Sequence, residues 1–320
     1  PHKVEVVEVS SVQECFDAIK NMVVRGAPII GFTGIWGSVL SVLNAGDFKE
    51  DVKLLKKARP TAINLEYELN RCLEIYEAFG DTDSLLSMLI NFANEQFDKL
   101  AGDNQEMASI ALSDLDKRIG KEKYNILTIC NTGYLASGPM GTALGVISNA
   151  HSKNRLNHAY AAETRPYLQG SRLTAYEMMT EKIPFDIIVE GAFSYLLKSK
   201  KVDAIFVGAD RIAGNGDTAN KVGTSTLAIV AKEYGVPFYV VAPTSSFDIS
   251  LDSGDLIPIE LRDQSEVLEL NSSPVAPIGS TALNPSFDVT ESKYITGIIC
   301  ENGLITNYSK EVIKGFVNGN

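Results

Sequence analysis

From Asn125 onward the chain repeats one pattern: a short apolar run, a polar loop, then a stretch with helical spacing. The runs are Ile126–Ile129, Ala159–Ala162, Phe185–Val189, Ala204–Val207 and Phe238–Val241. Helical patterns separate them around Gly141–Asn149, Ser171–Glu181, Ala192–Lys200 and Thr218–Tyr234. A strand that is apolar on both faces must be covered on both faces, and one helix is the crossover that parallel neighbours need. This region is therefore expected to be an open α/β domain with a parallel sheet. Ligands of such sheets sit beyond the carboxyl ends of the strands, so the loops after the apolar runs are where chemistry is sought.

The first third reads differently. Val4–Val9 alternates charged and apolar residues, as an edge strand does, and Ser10 or Ser11 then caps a helix carrying Val12, Phe16, Ile19, Met22 and Val23 on one face. A second helix is expected from about Thr61 to Phe79 after the breaker Arg59-Pro60, and one long helix or two joined ones from Asp83 to Ile119. Gly26–Gly46 carries no charge, yet its five glycines and scattered polar residues read as a buried core helix rather than a membrane span. The expected fold is α/β: a smaller, mostly helical N-terminal domain with a linking helix over residues 1–116, then a Rossmann-like catalytic domain over 117–320.

Composition narrows the function classes. The 45% hydrophobic and 22% charged content is that of a packed globular chain. A net charge of −11 argues against nucleic acid as a partner, although a small phosphorylated ligand needs only two or three local cations. The four cysteines (Cys15, Cys72, Cys130 and Cys300) are scattered, which suits a reducing, cytoplasmic setting, with the nucleus also open in a eukaryote. Three histidines in unpromising contexts leave no metal site to expect. No Walker loop and no G-x-G-x-x-G after a strand is present, so no nucleotide cofactor is expected either.

Four loops hold the unusual residues. Arg25-Gly26-Ala27-Pro28 is either a helix start whose amides, beside Arg25, hold an anion or a plain interhelix turn, and these residues alone do not separate the two. Cys130, at the end of an apolar run, stands where α/β sites lie, although spacing alone reads more readily as an inert core thiol. The stretch Glu163–Arg172 places many polar side chains directly after a buried strand. Arg165 or Arg172 can pair with Glu163 there, which leaves Gln169 as the ligand contact. Asp210 is read as ending the strand of Ala, Ile, Phe and Val, so a partly desolvated carboxyl suited to general acid work is expected, in preference to an ion pair with Arg211. Asn220 and Lys221 supply donors and a cation for a phosphate or sugar hydroxyl.

The segments RGAPIIG from Arg25, RPTAINL from Arg59, LTICNTGYLASGPMGTALGVI from Leu127, ETRPYLQGSRLTAYE from Glu163, GADRIAGNGDTANKVGT from Gly208, FYVVAPTSSFD from Phe238 and NPSFDVT from Asn284 together resemble the methylthioribose-1-phosphate isomerase family. The resemblance runs nearly the whole length in order, and it implies a short further segment ahead of Pro1. It implies an aldose–ketose isomerase of methionine salvage, assembled as a homodimer, with no cofactor. Cys130 and Asp210 would be the catalytic pair, and Arg25, Gly26, Ala27, Arg59, Gln169, Asn220 and Lys221 the substrate contacts. Ribose-1,5-bisphosphate isomerase shares the pair, whereas regulatory subunits of the translation initiation exchange factor share the fold and generally lack it. Three places depart from the pattern: Val189-Glu190-Gly191-Ala192 for Thr-Asp-Ser/Asn-Met, Pro139-Met140 for Gly-Tyr, and Leu261 for one Glu.

Overall fold

The computed structural model describes residues 2–59, 63–80 and 83–319. The chain forms two compact units, Pro1–Asn104 with Gly133–Gly141, and Gln105–Thr132 with Thr142–Asn320.

The first unit is helical. Its helices are α1 (Val12–Lys20), α2 (Ala27–Leu43), α3 (Phe48–Lys56), α4 (Ile63–Phe79) and the first part of α5 (Asp83–Arg118). Ser11 caps α1 by accepting the Glu14 N–H at 3.2 Å, and the Glu14 carboxylate reaches back to accept the N–H of Ser10, one residue ahead of the cap, at 2.8 Å. The uncharged stretch becomes α2, whose Ile30, Ile35 and Val39 pack with Leu65 and Leu69 of α4 and Leu55 of α3 in one apolar core. Among the described residues no helix is long and apolar enough to cross a membrane. The expected edge strand over Val4–Val9 is not formed, and the segment is coil, exposed up to Glu8 with Val9 packed against the core. An edge strand needs a neighbour to bond to, and the described residues of this unit contain no other strand. The breaker Pro60 and the expected helix start at Thr61 lie outside the described residues.

In the second unit the strands are β1 (Tyr124–Thr128), β2 (Leu156–Ala162), β3 (Phe185–Ile188), β4 (Ala204–Val207), β5 (Arg211–Ala213), β6 (Thr218–Lys221), β7 (Phe238–Val241), β8 (Phe247–Asp248), β9 (Glu269–Leu270), β10 (Ser273–Pro274), β11 (Phe287–Thr290), β12 (Gly297–Cys300) and β13 (Gly303–Ile305). Seven of them make one sheet in the order β13-β12-β7-β4-β1-β2-β3, parallel throughout except for the β12–β13 edge. Its central strands are sealed: Leu127, Ile205, Val207, Val240 and Ile298 are all fully buried in the main core. The short α6 (Tyr134–Ser137) belongs to the first unit. In the second, the crossovers are α7 (Ala143–Ser152), α8 (Ala175–Thr180), α9 (Phe193–Lys198) and α10 (Thr224–Tyr234), and α11 (Ser265–Leu268) and α12 (Lys310–Val317) follow. The expected α/β architecture, with a helical N-terminal region and a parallel sheet, is the one observed.

One expected element is wrong. Thr218–Lys221 is not the start of a helix but strand β6, in a second sheet ordered β11-β6-β5-β8. An Asn215-Gly216 turn folds β6 back on β5, with the Gly216 N–H on the Ala213 carbonyl at 2.9 Å. The helix α10 begins only after Gly223.

The loop after β2 is clamped by Gly170. A Cβ built there would stand 1.7 Å from the Ala162 carbonyl oxygen. Gly170→Ala is expected to cost about 1–3 kcal/mol, the range of an overpacked core, and to lower the thermal midpoint followed by circular dichroism. An unchanged midpoint would contradict this close approach.

Candidate functional site

Strand order fixes where a site can form in the second unit. From β1 the chain winds outward through β2 and β3, then returns to the other side of β1 with β4 and continues through β7 and β12. The order therefore reverses between β1 and β4, the switch point beyond whose carboxyl ends ligands of such sheets lie. Cys130 follows β1 and Asp210 follows β4, so the two residues leave adjacent strands at this point.

Cys130 is only 7% exposed and sits at φ +67°, a left-handed conformation that a non-glycine residue holds only when its surroundings fix it. Its N–H donates to Thr164 Oγ1 at 2.9 Å, and Thr174 Oγ1 donates to its carbonyl at 2.6 Å. The next residue, Asn131, donates to the buried Glu177 carboxylate at 2.7 Å. Further on, Thr132 Oγ1 accepts the Leu144 N–H at 3.1 Å, tying the turn to the start of α7.

Asp210 departs from expectation. Its side chain is exposed, not desolvated, because β4 ends at Val207 and Gly208-Ala209 carries the chain out of the sheet. Its N–H bonds to the Ala219 carbonyl at 2.9 Å, which joins it to the β5–β6 hairpin. The neighbouring Arg211 pairs with Asp248 at 3.6 Å.

Gln169 is 5% exposed, and its Oε1 is a buried acceptor with no hydrogen-bond partner among the described residues. Such an atom costs free energy unless a ligand or water satisfies it, which marks it as a contact point. Arg165 and Arg172 do not pair with Glu163 as expected. Arg165 donates to the Pro166 and Val267 carbonyls at 3.1 and 3.0 Å, and Arg172 to the Tyr167 carbonyl at 3.4 Å. Burial, and then the nearby Glu190 charge, push the Glu163 carboxyl above its usual value, with Arg165 opposing.

Asn220 and Lys221 end β6. Asn220 is buried and donates to Thr224 Oγ1 at 3.1 Å, while Lys221 Nζ reaches the Ser286 carbonyl at 2.7 Å and lies 4.6 Å over the Phe287 ring. Opposite them, Asp288 accepts the Gly223 and Ser225 N–H groups at 2.7 and 3.1 Å. Burial raises its carboxyl pKa, against the pull of those N–H groups and of Lys221. The amino terminus of α10 is thus filled by a carboxylate of the chain.

Arg25, Gly26, Ala27 and Arg59 belong to the first unit, all half-buried. Gly26, at φ +90°, precedes the first residue of α2, and a Cβ there would stand 2.0 Å from the Ala136 carbonyl oxygen. Only glycine fits that turn. Among the described residues no group of three or more His, Cys, Asp or Glu side chains could hold a metal ion. Sequence reasoning missed Thr164, Thr174, Glu177 and Asp288 as supports. The signal for Asp288 was a lone carboxylate between Phe287 and Val289, which a strand buries only if it is bonded.

A doubly wound α/β protein, with polar loops gathered where its strand order reverses, is the class that this fold and these loops define. Residues 41–307 match the Initiation factor 2 subunit family. The chain belongs to that family. A protein of Sulfurihydrogenibium sp. named methylthioribose-1-phosphate isomerase is 43% identical over 317 residues, covering 99% of this chain and 91% of that protein. The crystal structure of 5-methylthioribose 1-phosphate isomerase from Pyrococcus horikoshii OT3 superposes with a TM-score of 0.90 at 37% identity, covering 100% of this chain and 91% of that one. The translation initiation factor eIF-2B, subunit delta, from A. fulgidus gives a TM-score of 0.85 at 32% identity, covering 99% and 94%.

Asp288→Ala would leave two N–H groups at the start of α10 without their acceptor, at an expected cost of about 1–3 kcal/mol. Denaturant unfolding should show that loss, with Asp288→Asn in between because its amide oxygen can still accept. Because the folded carboxyl pKa is raised, protonation of the group favours the native state at low pH, and that advantage is lost as pH rises through the folded value. Wild-type stability in Asp288→Ala would refute the capping role.

Proposed function

We propose that the chain is a methylthioribose-1-phosphate isomerase, converting 5-methylthioribose 1-phosphate to 5-methylthioribulose 1-phosphate in methionine salvage. The observation that carries the reading is sequence identity of 40–44% over nearly the whole chain with proteins of that name. The arrangement after β1 and β4 supports it with chemistry.

A furanose with phosphate on its anomeric oxygen cannot open spontaneously, so an acid must protonate the ring oxygen. Asp210 is assigned that proton. Its exposure leaves it open to a ligand, and a sugar seated against it removes water and raises the carboxyl pKa toward general acid range. The C-1 to ring-oxygen bond then breaks, a hydrogen leaves C-2 for C-1, and the C-2 hydroxyl loses its proton as the ketone forms. Cys130 is assigned the place against C-1 and C-2, either carrying the hydrogen as a proton or flanking a direct hydride shift. Gln169 Oε1 suits a sugar hydroxyl, and Asn220 and Lys221 suit a hydroxyl or the phosphate. Arg25, Gly26, Ala27 and Arg59 are assigned as substrate contacts on the resemblance alone. We assign a homodimer and a cytoplasmic location on the same resemblance.

The A. fulgidus likeness supports a second reading, a translation-factor subunit without catalysis. Incubation with methylthioribose 1-phosphate and, separately, ribose 1,5-bisphosphate, assayed for ketose, separates the possibilities. The first substrate is expected to be turned over far better. Turnover of the bisphosphate in preference would move the chain to the other isomerase, and turnover of neither would favour the second reading. Asp210→Asn, folded by circular dichroism, is expected to lose about 10²–10⁴-fold in kcat, the usual share of general acid catalysis. Activity within a few-fold of wild type would remove Asp210 from the role.

A further inference from the structure

Three neighbouring strands of the large sheet, β1, β2 and β3, end in loops that are joined in series by hydrogen bonds. After β1 stands Cys130, left-handed at φ +67°. After β2 stands Thr164, also left-handed at φ +68° and fully buried. Its hydroxyl is committed twice: Oγ1 accepts the Cys130 N–H at 2.9 Å and donates to the Ala162 carbonyl at 3.0 Å. The rotor therefore has no freedom, and the Cys130 turn is as fixed as Thr164 is.

What fixes Thr164 comes from the third loop. After β3 the chain enters a short 3₁₀ turn at Glu190, whose Oε1 accepts the Thr164 N–H at 2.6 Å. The other oxygen faces the Arg165 N–H at a longer 3.4 Å. The same side chain lies beside the turn that follows Lys221, since a Cβ built on Gly223 would be 3.6 Å from Glu190 Cγ and 3.2 Å from Ile129 Cδ1. A charge-assisted bond of this length is stronger than a neutral one, and here it anchors a buried residue in a sparsely populated backbone region.

We propose that Glu190 is a positioning residue for Cys130, acting through Thr164. The inference deepens the assignment of Cys130 as a reacting group and rests on it. A group that is held by another contributes in the transition state, where a small misplacement is costly, more than in ground-state binding.

Kinetics and thiol labelling on the full-length chain test it together. Glu190→Ala is expected to lower kcat about tenfold or more with KM within about twofold, the split of an interaction made in the transition state. Glu190→Gln keeps an acceptor for the Thr164 N–H and is expected to stay within about threefold. Thr164→Val should reproduce the loss, Thr164→Ser should recover most of it, and Glu190→Ala placed on Thr164→Val should add nothing, since residues acting in series are not additive. Should Glu190→Ala fail to fold, the Val, Ser and Gln variants carry the same test.

The second arm does not use activity. Alkylation of Cys130 by iodoacetamide, followed by peptide mass spectrometry, should change several-fold in Glu190→Ala and Thr164→Val. Cys15, Cys72 and Cys300 serve as internal controls, because burial pushes their thiols up to about 11, 12 and 11. Folded Glu190→Ala with wild-type kcat and an unchanged Cys130 labelling rate would overturn the proposal, as would multiplicative losses in the double variant. Cys130→Ala is the control for the underlying assignment. If it stays active, Cys130 loses its catalytic role, while the labelling arm still decides whether Glu190 positions the turn.

Discussion

A parallel strand buried on both faces cannot carry polar chemistry along its length, and this burial governs the whole second unit. Strands β1 and β4 are sealed between crossover helices, so every reactive group must stand where a strand has just ended. The reversal of strand order between them leaves one place where two such ends part without a helix covering the gap. Cys130 and Asp210 are found at those ends, and their environments are opposite: one is buried in a left-handed turn, the other exposed on a loop.

Hydrogen bonds from neighbouring loops then do what the strands cannot. Two carboxylates bracket the Cys130 turn, Glu190 through Thr164 and Glu177 through Asn131, which also donates to Thr174. A third, Asp288, occupies the amino terminus of α10, a position suited to a phosphate. With that terminus filled, a nearby cation is Lys221, whose amine donates to the Ser286 carbonyl. The carboxylates near the turn are already bonded, Glu190 and Asp288 to backbone N–H groups and Glu177 to the Asn131 amide.

The large sheet was legible in the sequence because its signal is local: runs such as Ala204–Val207 and Phe238–Val241 declare burial on both faces, and the observed strands coincide with them. The second sheet was not, since Thr218–Lys221 is short, and what makes it a strand is pairing with Phe287–Thr290, far away in sequence. The Asn215-Gly216 turn was the available clue. Asp210 was expected to end the strand with a partly desolvated carboxyl, yet it lies three residues beyond β4 and is exposed, because the two residues that lift it from the sheet, Gly208 and Ala209, look like a continuation of the apolar run. Val4–Val9 alternated as a strand does, yet alternation alone supplies no partner. The supports of the Cys130 turn were hidden for the same reason as the second sheet: Thr164 and Glu190 meet Cys130 only through strand order.

The central claim is that a sugar phosphate lies across the ends of β1 and β4, with its C-1 and C-2 at Cys130 and its ring oxygen at Asp210. A crystal structure of the Cys130→Ser variant with 5-methylthioribose 1-phosphate bound tests it most directly. The account predicts the Asp210 carboxyl within hydrogen-bond reach of the ring oxygen, Gln169 Oε1 on a sugar hydroxyl, and position 130 against C-1 and C-2. A sugar bound elsewhere, or one whose ring oxygen faces away from Asp210, would contradict it.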